Sequence, residues 1–373
     1  MKKVLIIYKY LPQYRVDFFH HLKKKLEKHN VELSLVHGKS NKIDALKNDE
    51  AIIDWAKIIS NKELRIKTKS MIWQPVLKEL RGKDLVITLP ENKLLLNYYL
   101  MVAKFFAKYR FAFWGHAYNM QNDLNNIRNK GKLLFLNKCD WWFAYTPSAK
   151  NFLISRGFSK DHVTVVQNAI NTNELKQQYA EITPEETAAL KKELNIQTEN
   201  VGIYCGSMYP DKDFDFILAA CFLIRKKTPD FHMLFVGSGV EAVKVIEAAK
   251  NNDWIHYVGA KFGKARVPYF KISAIQLMPR LVGLAILDSF ATETPIITTE
   301  HPFHGPEVDY LENGVSGMMT KDDINIYSDT IVNLFATKKY SALIRGCKAS
   351  SEIYTVENMA ENFKNGILAC LGM

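Results

Sequence analysis

"RLVGLAILDSFATETPIITTE" (280–300) reads as a loop, a buried helix and a buried strand in succession. The helix, GLAILDSFAT (283–292), is apolar around most of its circumference, and PIITTE (295–300) is a β-branched run of strand length, so the segment is one helix-to-strand step of a parallel sheet. Two residues break the apolar pattern, Arg280 at its head and Asp288 in its middle. A carboxylate on an apolar face costs free energy unless it accepts hydrogen bonds. Asp288 is therefore a candidate partner for vicinal ribose hydroxyls, the ordinary alternative being a solvent-facing position on an amphipathic helix. The N–H groups of Gly283 and Leu284 at the helix start suit an anionic diphosphate.

Outward from this segment the same alternation repeats. VGIYCGS (201–207), HMLFVGSG (232–239), IHYVGA (255–260) and AIQLMP (274–279) precede it as strands separated by helical stretches. In the first half, KVLIIY (3–8), VELSLVHG (31–38), DLVITLP (84–90), FAFWGH (111–116), WWFAYT (141–146) and VTVVQN (163–168) alternate with amphipathic helices such as VDFFHHLKKKLEKH (16–29) and NKLLLNYYLMVAKFFAKY (92–109). The pattern predicts an α/β protein of two doubly wound parallel-sheet halves, with ligands at the carboxyl ends of the strands. Residues 169–200 carry a helix with a Thr183/Glu186 capping box and no β-like run, and read as an inter-domain connection. The expected domains are 1–168 and 169–349, with the helical end, about 350–373, packing back on the first.

The 373 residues suit two domains, and no run of 18 uncharged apolar residues is present to span a membrane. The basic start MKKVLIIYKY is followed by no small-residue cleavage site, which points to the cytoplasm. Five cysteines without CxxC or Cys-His spacing predict reduced, buried thiols rather than a zinc site or disulfides. Residues 1–165 hold 30 Lys and Arg against 14 Asp and Glu, net +16, and the rest 20 against 25, net −5, which together make the chain's +11. A basic first half suits anionic lipid, a phosphate-bearing substrate or nucleic acid, or is simply a lysine-rich solvated surface. Nucleic acid is the runner-up, because no helix-turn-helix, RRM or zinc signature occurs and the basic residues are spread.

Two glycine turns end strands of the second half. CGSMYPDK (205–212) places Gly206 after a strand and Lys212 in the following loop, and FVGSG (235–239) places Gly237 and Gly239 at the equivalent point. Glycine lets backbone N–H groups approach a phosphate and the lysine adds charge, although neither loop is a Walker A or a full GxGxxG motif. FWGHAYN (113–119) puts His116 after a strand and a glycine.

In their order, VVQNAIN (165–171), GSMYPDKDFDFILAA (206–220), HMLFVGSG, IHYVGA, MPRLVGLAILDSFATETPIITT (278–299) and GPEVDYLENGVSGMM (305–319) resemble the motif series of family 4 of the retaining glycosyltransferases, the glycosyl transferases group 1. The resemblance runs over most of the chain and implies the GT-B fold, two Rossmann-like doubly wound parallel-sheet domains facing a central cleft. It also implies transfer of a sugar, with retention, from a nucleotide-diphosphate sugar to a glycan or polyprenyl-diphosphate-linked acceptor in bacterial surface polysaccharide or lipopolysaccharide synthesis. Neither a cofactor nor a metal is expected; DKD (211–213) superficially fits a metal motif, but its Lys212 is better read as a phosphate ligand.

Of the family's Glu-x7-Glu pair, the second acid aligns with Asp288, while Arg280 stands where the first would be. The family's diphosphate-binding arginine is replaced by Ser207, and its companion lysine is kept as Lys212. Arg280 and Lys212 together are thus expected to neutralise the diphosphate. His116 matches the acceptor-domain histidine near the donor sugar, Tyr14 and Arg15 fall in the acceptor-side loop, and Glu307 falls near the sugar or the ribose and base. Domain closure would hinge near QNAIN (167–171). The partners implied are the nucleotide-sugar donor, the lipid-linked glycan and an anionic membrane surface on the cytoplasmic face. The two departures leave a sugar-nucleotide epimerase or an inactive homologue as alternatives.

Overall fold

The computed structural model describes residues 1–41, 49–66, 69–117 and 136–373; Tyr118 and Asn119 of the FWGHAYN stretch lie outside them. The chain forms two compact units, Met1–Asn171 with Thr355–Met373, and Thr172–Tyr354.

In the first unit, β1 (Lys2–Tyr8), β2 (Val31–Gly38) and β3 (Lys57–Ile59) are followed by a hairpin of β4 (Lys62–Ile66) and β5 (Lys69–Trp73). Then come β6 (Leu85–Thr88), β7 (Arg110–Gly115), β8 (Trp141–Ala144) and β9 (Val163–Val165). Seven of these make a parallel sheet in the order β3-β2-β1-β6-β7-β8-β9. Strands such as VLIIY of β1 and FAFWG of β7 are apolar throughout because both faces of the sheet are covered. The helix Val16–Glu27 covers one face with Phe18, Phe19, Leu22 and Leu26, all buried. The helix Val356–Leu371 lies on the same unit, with Phe363 stacked on Phe143 at 4.3 Å. Gly366 makes that approach possible, since a Cβ there would sit 2.6 Å from Thr164 Oγ1.

The second unit is a six-stranded parallel sheet of β10 (Val201–Cys205), β11 (His232–Val236), β12 (Ile255–Gly259), β13 (Ile275–Leu277), β14 (Ile296–Thr299) and β15 (Gly317–Thr320), in the order β12-β11-β10-β13-β14-β15. The strand order reverses between β10 and β13, the point at which open α/β sheets leave a crevice beyond their carboxyl ends. Residues 173–193, read from sequence as a connection, are two helices of this unit: Leu175, Ile182 and Ile196 are buried against Val267, Ala291 and Phe270. Their apolar positions are sparse, which is why the segment looked polar. The capping box is present, with Thr183 N–H donating to Glu186 Oε2 at 2.8 Å and Glu186 N–H to Thr183 Oγ1 at 3.2 Å. All five cysteines are buried free thiols, and among the described residues no helix is long and apolar enough to cross a membrane.

Candidate functional site

The loop after β13 is backbone under strain. Leu281 has φ +47°, a left-handed conformation that a bulky side chain adopts only where its surroundings impose it. Three contacts impose it. Lys212 Nζ donates to Leu281 O at 2.8 Å, Val282 N–H donates to His304 Nδ1 at 3.0 Å, and Gly305 N–H donates to Val282 O at 2.6 Å. His304 is itself fixed, its Nε2 lying 2.9 Å from Thr299 O at the end of β14. With Nδ1 accepting and Nε2–H donating, the ring is held as one neutral tautomer, and burial keeps its pKa below the usual 6.5.

Lys212 ends a short 3-10 turn, Pro210–Lys212, beyond β10. Burial lowers its pKa, while nearby Asp211 supports the charged form. Its ammonium has two further N–H donors beyond the one used on Leu281, so the loops after β10 and β13 share a cation at the switch point.

The glycine turns work first as spacers. A Cβ on Gly237 would overlap Gly206 O, and one on Gly239 would overlap Met208 O; their φ values are +150° and +153°. Gly206 N–H donates to Val236 O at 3.0 Å and Gly237 N–H to Gly259 O at 2.9 Å. The expected phosphate contact through these two amides is therefore revised: both are committed to the neighbouring strands. Ser207 is exposed between them, its carbonyl accepting from the Tyr204 hydroxyl at 2.7 Å.

Asp288 lies in the first turn of the helix Ala285–Ala291, for which Leu284 is the N-cap. Its side chain is 17% exposed. Arg266, on the 3-10 turn Gly263–Arg266 after β12, grips both carboxylate oxygens, with Nη1–Oδ2 at 2.6 Å and Nη2–Oδ1 at 3.0 Å. The acid in the apolar run is thus answered by a fork-to-fork ion pair inside the unit. A carboxylate has about four lone-pair sites, so two remain for hydroxyl donors.

Arg280 is 8% exposed. Its Nη1 pairs with Asp322 Oδ1 at 2.5 Å and donates to Thr299 Oγ1 at 2.8 Å, its Nε lies 3.4 Å from Asp213 Oδ2, and its guanidinium covers the Phe216 ring at 4.3 Å. One guanidinium between two carboxylates brings no surplus positive charge, which corrects the expectation that Arg280 replaces the charge lost at Ser207. Glu307, on the 3-10 turn Pro306–Tyr310, is buried beside the same loop, and a Cβ on Gly283 would lie 3.8 Å from its Oε2.

In the first unit, the carboxyl ends of β1, β6, β7 and β8 surround a cavity of about 310 Å³, again at a reversal of strand order. Tyr14, His116, Glu91 and Lys93 line it, and the His116 ring meets Tyr145 edge-on at 4.5 Å. Tyr14 is 41% exposed, whereas Arg15 is 1% exposed. The Arg15 guanidinium donates to Asn168 Oδ1 and, at 3.4 Å, to the Tyr145 hydroxyl and Ala169 O, and it stacks over Tyr14 and Trp114 at 4.9 and 5.2 Å. Arg15 therefore braces its unit and does not reach an acceptor, correcting one of the two acceptor-side expectations.

His304, Arg266 and Asp322 were not singled out from sequence, and Asp213 figured only as the last residue of DKD (211–213). The signal for the first was available in HPFHGPE (301–307), two histidines beside a glycine and an acid. The others needed the fold, because their partners lie 22 to 67 residues away.

Residues 199–337 match the family model described as Glycosyl transferases group 1. No curated protein matches the chain in sequence. Among solved structures, Anabaena Alr3699/HepE in complex with UDP is similar with a TM-score of 0.70 at 12% identity, covering 98% of this chain and 99% of that one. A glycosyltransferase from Rickettsia africae ESF-5 is similar with a TM-score of 0.66 at 16% identity, covering 99% and 98%. The lipopolysaccharide outer core galactosyltransferase WaaB, in its apo form, has a TM-score of 0.65 at 15% identity, covering 98% and 99%. The chain thus has the GT-B fold of two parallel-sheet α/β units, and the greater part of its second unit, residues 199–337, matches the glycosyl transferases group 1.

Proposed function

We propose that the protein is a glycosyltransferase that binds a nucleoside-diphosphate sugar in its second unit and transfers the sugar, with retention at the reactive carbon and without a metal, to a glycan or polyprenyl-diphosphate-linked acceptor of bacterial surface polysaccharide or lipopolysaccharide synthesis. The observation that carries the reading is the Lys212 ammonium anchored 2.8 Å from Leu281 O at the β10/β13 reversal, within a segment matching the group 1 model. The complexes of HepE with UDP and with UDP-glucose support a donor of this class.

In this reading Lys212 neutralises the diphosphate as its bond to the sugar breaks, a charge held in place before the reaction begins. The strained Leu281 loop, pinned by Lys212 and His304, keeps the N-terminal turn of the helix Ala285–Ala291 in register with it. Asp288, oriented by Arg266, accepts from the ribose hydroxyls with its remaining lone pairs. In the first unit His116 and Tyr14 meet the sugar and its acceptor. The acceptor hydroxyl attacks on the face the diphosphate leaves, and its proton passes to a departing phosphate oxygen. The lysine supplies the charge a metal would otherwise bring. Action at the cytoplasmic face of the membrane follows from a lipid-linked acceptor.

The test is thermal shift against UDP, GDP and their sugars, since a ligand that binds the folded state alone raises Tm, followed by product analysis with the sugar nucleotide that binds. Transfer to an acceptor with retained configuration supports the proposal. Epimer formation, or binding without turnover on any acceptor, replaces it with the epimerase or inactive alternative.

A further inference from the structure

The chain passes between its two units twice, after Asn171 and before Thr355. On the first-unit side these two passages are tied to each other. Ala169 N–H reaches Met359 Sδ at 3.3 Å, and Asn362 Nδ2 donates to Gln167 Oε1 at 2.9 Å. Gln167 has φ +59°, a left-handed conformation that a non-glycine residue keeps where contacts hold it. Asn171 Nδ2 adds a bond to Asp17 Oδ2 at 2.8 Å, in the first turn of the helix Val16–Glu27.

One side chain touches both passages. Arg15 Nη1 lies 3.4 Å from Ala169 O and 3.5 Å from Met359 Sδ, and its Nη2 donates to Asn168 Oδ1. The same Nη2 lies 3.4 Å from the Tyr145 hydroxyl, and the guanidinium stands over the rings of Tyr14, Trp114 and Tyr145 at 4.9, 5.2 and 5.7 Å. Those three rings are also walls of the cavity holding His116. Arg15 therefore occupies the space between the cavity wall and both passages, and it is buried there. The groups that support its charge are the hydroxyls of Tyr8, Tyr145 and Tyr14 rather than carboxylates. An apolar side chain would fill the same volume without the penalty of a buried cation. What the guanidinium adds is a planar fork of donors in fixed directions, able to hold several segments in one arrangement.

We propose that Arg15 is a positioning residue for the transfer reaction: it couples the wall of the first-unit cavity to both chain passages, so that a shift of Tyr14 or Tyr145 when the cavity fills changes the freedom of the two passages together. The coupling rests on contacts within the first unit. Only its use in transfer depends on the glycosyltransferase reading.

Hydrogen–deuterium exchange of the full chain reads the passages without any ligand. Arg15→Met is expected to speed exchange of the amides of 166–171 and 355–362 by about 10-fold more than that of β1 and β6. Leu100→Ala, at a fully buried position of the helix Leu95–Ala103, is the control for lost stability and shows no such preference. Tyr145→Phe removes only the hydroxyl that faces Arg15. It is expected to speed both passages by about 3-fold in the wild-type background and to add nothing in Arg15→Met, which shows that the path runs through the guanidinium. In transfer from the sugar nucleotide that binds, Arg15→Met is expected to lower kcat by about 10-fold with the acceptor KM within about 2-fold of wild type. Unchanged exchange in Arg15→Met, a rise at one passage only or evenly through the unit, the same preference in Leu100→Ala, or an effect of Tyr145→Phe that is equal in both backgrounds overturns the coupling. An unchanged kcat, or a raised acceptor KM with unchanged kcat, overturns its part in the reaction. If no donor is turned over, the transfer reading falls and the exchange results still decide the coupling.

Discussion

His304 Nδ1 accepts a hydrogen bond from Val282 N–H at 3.0 Å while Nε2 faces Thr299 O at 2.9 Å, so one imidazole ties the strained loop after β13 to the end of β14. Protonation would turn Nδ1 into a donor pointed at another donor. Burial lowers the folded-state pKa below 6.5, so the unfolded chain binds the proton more readily. The contribution is fully present above pH 6.5 and falls as pH drops below that value towards the lower folded-state pKa. Tm is therefore expected to fall more steeply with acid in the wild type than in His304→Ala. At neutral pH His304→Ala is expected to be less stable by about 2 kcal/mol, the consequence of leaving Val282 N–H buried without an acceptor. Identical acid slopes in the two proteins would remove His304 from the account.

The Arg266–Asp288 pair and the Lys227–Asp329 pair differ in exposure, and their mutants are expected to differ accordingly. Arg266→Ala leaves a largely enclosed carboxylate and is expected to cost about 3 kcal/mol. Lys227→Ala, with both partners half exposed, is expected to stay within about 0.5 kcal/mol. Chemical denaturation measures both. A double-mutant cycle with Asp288→Leu should recover much of the Arg266→Ala loss, because it removes the stranded charge.

The contrast between these two pairs also explains what could be read in advance. The apolar strands of both sheets are plain in the sequence because burial on both faces requires uninterrupted hydrophobic runs. The short strand β3 (KII) and the hairpin β4-β5 (KELRI, KSMIW) are not, since exposed edges carry lysine where a core strand would carry valine. Strand β15 (GMMT) carries too little β-branched signal to stand out. Asp288 could be seen to need a partner, but a ribose and an arginine satisfy a carboxylate equally well. Only the chain's path from β12 to β13 brings Arg266 to it. Arg15 and Arg280 misled for the same reason: sequence shows that a charge is present, and the fold decides whether carboxylates and aromatic rings have already consumed it.

Lys212 and Arg280 are distinguished by ligand rather than by stability. Lys212→Ala is expected to weaken UDP binding by about 10- to 100-fold while changing uridine affinity little, because the lost donors address the diphosphate. Arg280→Ala unpairs Asp213 and Asp322 and disturbs the loop they hold, so UDP and uridine affinities should fall by a similar factor. Calorimetric titration of both ligands reads the difference. If Arg280→Ala affects UDP far more than uridine, the arginine contacts the diphosphate after all; if it affects neither, it has no part in the donor site.

Gly237→Ala is expected to destabilise the second unit by about 3 kcal/mol or more, because the new methyl group would collide with the backbone oxygen Gly206 O. Gly82→Ala is the control. Its φ of +68° is also left-handed, but nothing lies within 4 Å of the added Cβ, so only the conformational strain of about 1 kcal/mol remains. Comparable losses in the two variants would mean that the glycine loops of the second unit are not closely packed.

Arg15 and Tyr14 are neighbours in sequence with opposite expected phenotypes. Arg15 is enclosed by Tyr8, Tyr14, Trp114 and Tyr145, and its guanidinium bonds Asn168, Ala169 and the Tyr145 hydroxyl. Arg15→Ala removes the cation and opens a cavity among these rings. Arg15→Met fills the volume and loses only the bonds. The first is therefore expected to destabilise by about 3 to 5 kcal/mol and the second by less, since replacing a buried charge with apolar volume spares the empty space. Tyr14→Ala, at a half-exposed rim position of the cavity with His116, should leave Tm nearly unchanged and raise the acceptor KM. Arg15→Met with wild-type stability and a raised acceptor KM would return Arg15 to the acceptor site and displace its role as a brace.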